Sequence, residues 1–185
     1  MTSQNDKIEF HLRFLLDPFG DAPHLRQREL SVEYLLAHAD QAYPRLLQAL
    51  RANPLALNAP AIIEVLPRFG RADSVPILAQ IMEAGAEQVS GVAGQALGRH
   101  PDPSAKTALL RGLQAQSPET VAAAADGLMV RGDRTVCVHL KAHFGHSSQV
   151  ARYHVIQAAF KLGCLDSAEV GELKKADSGL RGILE

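Results

Sequence analysis

An all-α fold, a solenoid of about five helix–turn–helix repeats, is what the sequence predicts. A large apolar residue recurs along the chain at spacings of 31, 31, 31 and 32 residues. An aspartate follows each of these residues at a distance of five to seven positions. Aromatic residues make up only 5% of the chain, and cores built from Ala and Leu suit closely packed helices better than sheets.

The first helix of each repeat carries the recurring apolar residue. These residues are Leu35, Leu66, Leu97, Leu128 and Phe160. Four positions earlier, and therefore on the same helical face, stand Ser31, Ile62, Ala93, Ala124 and Ile156. Both sets are small or apolar, so we expect both to face the core.

The aspartates mark the start of the second helices. They are Asp40, Asp73, Asp102, Asp133 and Asp166. An Asp side chain accepts hydrogen bonds from the free N–H groups that open a helix, so the sequence predicts five N-caps. Glu169, three residues after Asp166, predicts a capping box.

The second helices share the segments "LLQAL", "ILAQI", "LLRGL", "HLKAH" and "ELKKA", which begin at Leu46, Ile77, Leu109, His139 and Glu172. The predicted first helices are 26–38, 59–69, 88–99, 118–131 and 149–162, and the second are 41–52, 74–85, 103–115, 134–144 and 167–177. Pro67 should kink or end its helix. Residues 26–177 are then one repeat domain, 1–25 hold a capping helix near 6–17, and the 178–185 tail folds over the last repeat.

These units, best seen in "VAGQALGRHPDPSAKTALLRGL", resemble HEAT-like repeats, particularly the short variety of bilin lyases and many bacterial adaptor-like proteins. The resemblance covers roughly residues 25 to 177. It implies a right-handed α–α superhelix whose second helices line a concave face where partners bind. It implies little about activity, since one fold supports many functions.

Bulk composition limits the classes of partner. The net charge is −1, with 19 basic and 20 acidic residues, so no overall field favours nucleic acid or a membrane. The N-terminus lacks a signal-peptide pattern, and no apolar run reaches membrane length. The sequence therefore predicts a soluble, cytoplasmic protein.

The stretch "VHLKAHFGH" spaces His139 and His143 like helical metal ligands, with His146 beyond a glycine. In the repeat alignment, however, both histidines replace core leucines. We expect them to point into the stack beside Leu140, with Glu172 as a hydrogen-bond partner. No metal site and no cofactor is predicted.

Two further groups of residues are interpreted as packing elements. Cys137 and Cys164 form no CxxC motif and are expected to be small core residues, since free Cys is usually buried. Gly91, Gly94 and Gly98 lie inside a predicted helix, where close packing explains them better than phosphate binding.

A row of cations is the candidate partner site. The third position of the second-helix segment holds Arg111, Lys141 and Lys174 in the last three repeats and Gln48 in the first. Arg45 and Lys106 lie on the same helices. We interpret them as a mildly basic groove for an acidic peptide or protein surface, against the alternative of ordinary solvated cations.

The function expected is that of a non-enzymatic scaffold or adaptor, with no catalytic residue, because no nucleophile elbow, phosphate loop or HExxH motif is present. The second hypothesis is a nucleic-acid-binding HEAT-like protein, and the absence of Trp counts against it. A bilin-lyase-like or metal-dependent enzyme is the third. The partner's identity and the oligomeric state stay open.

Overall fold

The computed structural model describes residues 3–17, 22–84 and 87–185, with backbone alone for 22–25 and 87–88. All secondary structure in these ranges is helical. The α-helices in chain order are α1 (Gln4–Leu16), α2 (Ala22–Ala37), α3 (Ala39–Ala52), α4 (Ala59–Val65), α5 (Val75–Glu83), α6 (Glu87–Arg99), α7 (Pro103–Gly112), α8 (Pro118–Arg131), α9 (Cys137–Lys141), α10 (Gln149–Lys161) and α11 (Ser167–Ala176). Short 3-10 turns lie at Leu66–Phe69, Ala72–Ser74, Arg134–Val136 and Ser178–Leu180.

The predicted α-solenoid is confirmed, because α2 to α11 form five consecutive helix pairs that stack side by side. The first helices α4, α6, α8 and α10 contact one another in order, and α5 contacts α7 in the parallel row of second helices. The predicted end of the second repeat at residue 85 lies outside the described residues, as do residues 18–21 of the predicted N-terminal cap.

The apolar register is also confirmed. All five residues of the earlier position, Ser31, Ile62, Ala93, Ala124 and Ile156, are buried. Leu35, Leu66, Leu97 and Leu128 are fully buried, while Phe160 is half-buried at the end of the stack. One apolar core runs through consecutive repeats, which is how a solenoid is stabilised.

Pro67 ends α4, as predicted. The helix stops at Val65, and the chain continues as the 3-10 turn to Phe69 because proline lacks an N–H and clashes with the preceding turn. Gly70 then adopts a φ of 65°, a left-handed conformation that glycine allows without steric cost.

Three of the five predicted aspartate caps are confirmed. The carboxylates of Asp102 and Asp133 accept the N–H groups of Ser104 and Thr135 at 2.8 and 2.9 Å. Asp166 forms the expected capping box: its side chain accepts the Glu169 N–H at 2.8 Å, and the Glu169 side chain accepts the Asp166 N–H at 2.9 Å.

The prediction was wrong for Asp40 and Asp73. The helix α3 begins one residue before Asp40, which accepts instead from Arg71 Nη2 at 2.7 Å. Asp73 lies within a 3-10 turn and accepts from the Tyr43 hydroxyl at 2.5 Å. Burial, aided by this hydrogen bond, raises the pKa of Tyr43 to about 12.

Both ends of the stack are covered. At the N-terminal end, α1 buries Ile8, Leu12 and Leu15 against α2, α3 and α4. At the C-terminal end, Leu180 and Leu184 of the tail pack against Ile156 of α10, as predicted. Such caps remove the apolar faces that a terminal repeat would otherwise expose.

The helices α6 and α8 approach so closely that glycine is required between them. A Cβ on Gly94 would lie 2.2 Å from the Ala123 carbonyl oxygen, and one on Gly98 would lie 2.3 Å from the Gly127 oxygen. The packing role predicted for these two glycines is confirmed. Gly91 differs, because a Cβ there would meet nothing within 4 Å.

The prediction of free core cysteines was wrong. Cys137 at the start of α9 and Cys164 after α10 form a disulfide, with an S–S length of 2.02 Å and Cα atoms 5.4 Å apart. Their separation of 27 residues is close to one repeat, so the two positions lie beside each other on neighbouring repeats. In the described ranges, no helix is both long and apolar enough to cross a bilayer.

Candidate partner-binding face

The second helices form one face of the molecule, which we call the second-helix face and define by α3, α5, α7, α9 and α11. Shallow grooves of about 500, 450 and 490 Å³ lie between α1 and α3, between α5 and α7, and between α9 and α11. All three are open to solvent, unlike the enclosed, mostly apolar pockets that hold small-molecule substrates. The geometry suits a ligand that lies along the surface.

Arg45 and Gln48 line the first groove. Arg45 forms an ion pair with Glu9 of α1, and its second terminal nitrogen donates to Asn5 Oδ1 at 2.8 Å. Both partners come from the capping helix. Arg45 therefore joins the cap to the first repeat in addition to facing solvent.

Arg111 lines the middle groove and is 65% exposed. Its Nε and Nη2 donate to the same Glu83 oxygen at 2.9 and 2.7 Å. Glu83 belongs to α5, the second helix of the preceding repeat. The contact is a surface ion pair between neighbouring repeats, a class that contributes little to stability.

The lysines continue this pattern. Lys106 Nζ lies 2.5 Å from Asp133 and 2.6 Å from Thr135, in the next repeat. Lys141 Nζ lies 2.5 Å from Glu169, also in the next repeat. Lys174 is half-buried and makes no ion pair with any residue that the structure describes.

The sequence placed these cations on the correct helices but missed their partners. The carboxylate lies 28 residues from Arg111, 27 from Lys106 and 28 from Lys141, slightly less than one repeat. A search for opposite charges at that interval would have found all three pairs. Three of the cations predicted to form a basic groove thus form ion pairs between neighbouring repeats. The last groove is lined by the carboxylates Asp166, Glu169 and Glu172.

Two of the ion pairs lower the pKa values of the carboxylates that take part in them. The ammonium group of Lys106, and then the hydrogen bonds from Thr135, hold the pKa of Asp133 far below its ordinary value. Lys141, together with the Asp166 backbone N–H, lowers the pKa of Glu169. Both carboxylates are therefore ionised at neutral pH, where the ion pairs are formed.

The expectation that His139 and His143 point into the core was wrong. His139 is exposed, and His143 is half-buried with its Nε2 3.1 Å from Gln114 Nε2. The helix α9 is a single turn, and in that turn Leu140 takes the buried position. Glu172, the expected partner, pairs with Lys175 at 3.0 Å instead.

Partial burial lowers the pKa of His143, and the nearby His146 and His139 lower it further by electrostatic repulsion. The histidine is therefore neutral at physiological pH. Within the described ranges, no group of three or more His, Cys, Asp or Glu side chains is arranged to hold a metal ion.

A buried serine–histidine contact exists elsewhere and was not recognised from the sequence. Ser74 Oγ lies 3.0 Å from His100 Nε2 and donates to the Arg71 carbonyl, while His100 Nδ1 accepts from the Asp102 N–H. Ser74 and His100 are at most 1% exposed, so no substrate reaches the hydroxyl. Burial lowers the pKa of His100, and the neutral ring joins the turns of the second and third repeats.

Comparison with known families agrees with this architecture. The family described as HEAT repeats matches residues 75–159, from the start of α5 into α10, and the predicted HEAT-like character is confirmed for the repeats within that range. A search of curated proteins finds no match. HEAT repeats generally mediate protein interactions or act as scaffolds.

Proposed function

Starting from its HEAT-like repeats, we propose that the protein is a non-enzymatic scaffold or adaptor whose second-helix face binds a protein or peptide partner. The proposed contacts are Arg45, Gln48, Lys106, Arg111, Lys141 and Lys174. The observation that carries the proposal is the set of cations on the second helices, of which Arg45 and Arg111 line open grooves. A solenoid offers such extended surfaces to elongated partners.

The ion pairs on this face are compatible with partner binding. Arg111 uses two of its nitrogens on one Glu83 oxygen and remains 65% exposed, so a further guanidinium nitrogen faces solvent. Exposed pairs of this kind contribute about 1 kcal/mol or less. An acidic partner can therefore replace Glu83 as the acceptor at small cost.

The charge along the face changes toward the C-terminus. The groove between α9 and α11 has an apolar floor that includes Phe144 and Leu173, and its rim carries Asp166, Glu169 and Glu172. We therefore propose a partner that is acidic where it meets Arg111, Lys141 and Lys174 and apolar where it covers Phe144 and Leu173. Charge complementarity of this type fixes the direction in which an elongated partner lies.

Charge reversal tests the proposal. The triple variant Arg111→Glu, Lys141→Glu and Lys174→Glu is compared with the double variant Arg26→Glu and Lys161→Glu, two exposed cations on first helices. Each protein is used to capture partners from its native cell, and circular dichroism checks that helicity is unchanged. We expect the triple variant to lose the partners that the wild type and the double variant retain. Equal capture by all three proteins would contradict the proposal.

The cytoplasmic location stays a prediction, and the Cys137–Cys164 disulfide provides the test. Disulfides persist mainly in oxidising compartments, whereas cytosolic thiols are kept reduced. Alkylation of intact cells, followed by mass spectrometry, measures the fraction of Cys137 that is free. A mostly free thiol supports the cytoplasmic location, and a mostly bonded one contradicts it.

A further inference from the structure

A charged groove lies on the opposite face of the molecule, which the first helices form. It has a volume of about 580 Å³ and lies between α2 and α4, with α6 at one end. Its floor is apolar and its rim carries both signs of charge. We call it the arginine groove and define it by Leu15, Val32, Ala61, Val65 and Pro67 on the floor and by Arg28, Glu29, Glu64, Arg68 and Arg99 on the rim.

The groove arises from an irregularity in the stack. The first helices α4, α6 and α8 pack directly against one another, but at the N-terminal end α1 contacts both α2 and α4. Leu15 of α1 is 1% exposed and forms part of the groove floor. The helices α2 and α4 are thus joined at the surface by ion pairs above an apolar floor.

The ion pairs across the groove hold the arginines in place. Arg28 Nη2 lies 3.6 Å from Glu64, and Arg68 Nη1 lies 3.0 Å from Glu29. The arginine side chains are 33% and 41% exposed, whereas the two glutamates are 55% and 61% exposed. The cations are therefore more firmly embedded than the carboxylates that face them.

Arg99 adds a third cation. Its Nη2 donates to Gln95 at 3.3 Å, and it pairs with no carboxylate in the part of the chain that the structure describes. Counting the described side chains, three guanidinium groups therefore face two carboxylates around one groove. The excess is positive, although the whole chain has a net charge of −1.

We propose that the arginine groove is a second binding site, which takes an acidic protein segment with an apolar side chain between carboxylates. The apolar side chain covers the floor at Leu15 and Val65, and the carboxylates replace Glu29 and Glu64 on Arg28 and Arg68. Guanidinium groups match carboxylates in shape and bind them through paired hydrogen bonds. Among the residues that the structure describes, no aromatic side chain lines the groove, and aromatic side chains supply the stacking platform for single-stranded nucleic acid.

This site is separate from the proposed contacts on the second-helix face. With two sites on opposite faces, the protein can join two partners. The two proposals are tested by different substitutions, so either can fail alone.

A pair of opposed substitutions tests the arginine groove. The probe is a short fluorescein-labelled peptide with a central leucine flanked by glutamates, and its binding is followed by fluorescence anisotropy at low salt. We expect Arg28→Gln and Arg68→Gln each to weaken binding about tenfold, because each removes a charged hydrogen-bond donor. Glu29→Gln and Glu64→Gln should each strengthen it about threefold, because each removes a competing carboxylate.

Three controls complete the experiment. Lys161→Gln and Arg26→Gln remove exposed cations of the first helices that do not line the groove, and should leave the affinity unchanged. The same peptide with glutamines in place of glutamates should not bind. Weaker binding by the Glu29→Gln and Glu64→Gln proteins, or a loss of binding on Arg26→Gln alone, would overturn the proposal. Stronger binding of a single-stranded oligonucleotide than of the peptide would overturn it as well.

Discussion

The contact between α6 and α8 in the centre of the solenoid and the second helix of the fourth repeat are held in place in different ways. In the centre, α6 and α8 are long helices in which Gly94, Gly98 and Gly127 allow backbone to touch backbone. In the fourth repeat, α9 is a single turn that buries only Leu140 and is tied to the next repeat by the Cys137–Cys164 disulfide. Repeats of similar length can therefore keep their place through dense packing or through a covalent link.

The largest effect is expected at the helix contact in the centre. Gly94→Ala places a Cβ 2.2 Å from a backbone oxygen, so the helices must separate, at a cost of about 3 kcal/mol or more. Gly91→Ala on the same helix meets nothing within 4 Å and should add about 0.5 kcal/mol through helix propensity. Chemical denaturation measures the free energy of unfolding of both variants. Similar losses for the two variants would contradict the packing argument.

A smaller and more local effect is expected from the disulfide. Replacing Cys137 and Cys164 by Ala should cost about 2 kcal/mol, because the open chain gains entropy in a loop of 27 residues. Hydrogen exchange should accelerate in α9 and leave α6 and α8 protected. An equal acceleration in α6 would show that α9 is not a separate weak region.

Acid should lower the free energy of unfolding through His100, which lies in the turn of the third repeat. Burial lowers the pKa of His100 in the folded protein, so the unfolded chain takes up the proton first. This contribution to stability is complete above the unfolded pKa of 6.5 and is lost as the pH falls below it. Between pH 7.5 and 5.5 we expect a loss of about 1 kcal/mol. Chemical denaturation across this pH range should show that a His100→Gln protein lacks this loss of stability. The same pH profile for the wild type and the variant would contradict the prediction.

The smallest effect, with the opposite sign, is expected from His154 in the fifth repeat. Its hydrogen bond to Asp126, at 2.8 Å, raises the pKa of His154. This contribution is complete below the unfolded pKa of 6.5 and is lost as the pH rises through the folded pKa. Because His154 is 38% exposed, solvent screening limits it to about 0.5 kcal/mol. Asp126→Asn should abolish the trend, as followed by thermal unfolding at pH 5.5 and 8.

The helices and their register could be predicted because they depend on a pattern that recurs along the chain. Leu66 and Leu97 stand one repeat apart, and each is buried for the same reason. What distinguishes one repeat from the next could not be predicted in this way. Alignment placed His139 where other repeats hold apolar residues, but in the single turn of α9 Leu140 is buried and His139 is exposed.

The candidate site was predicted in part. The sequence placed Arg111 and Lys141 on the second helices but not the carboxylates that hold them, since each pair joins two repeats. Cys137 and Cys164 were missed for the same reason. The arginine groove was missed because it depends on where α1 packs, and α1 lies outside the repeat pattern.

The disulfide also determines how the molecule can come apart. A stack in which each unit touches only its neighbours unzips from its ends, because the terminal unit has one interface to lose. The bond between Cys137 and Cys164 crosses the last such interface, so α10 cannot move away from the start of α9. In the oxidised protein α11 and the tail, which follow Cys164, can detach on their own, whereas α10 separates only together with α9.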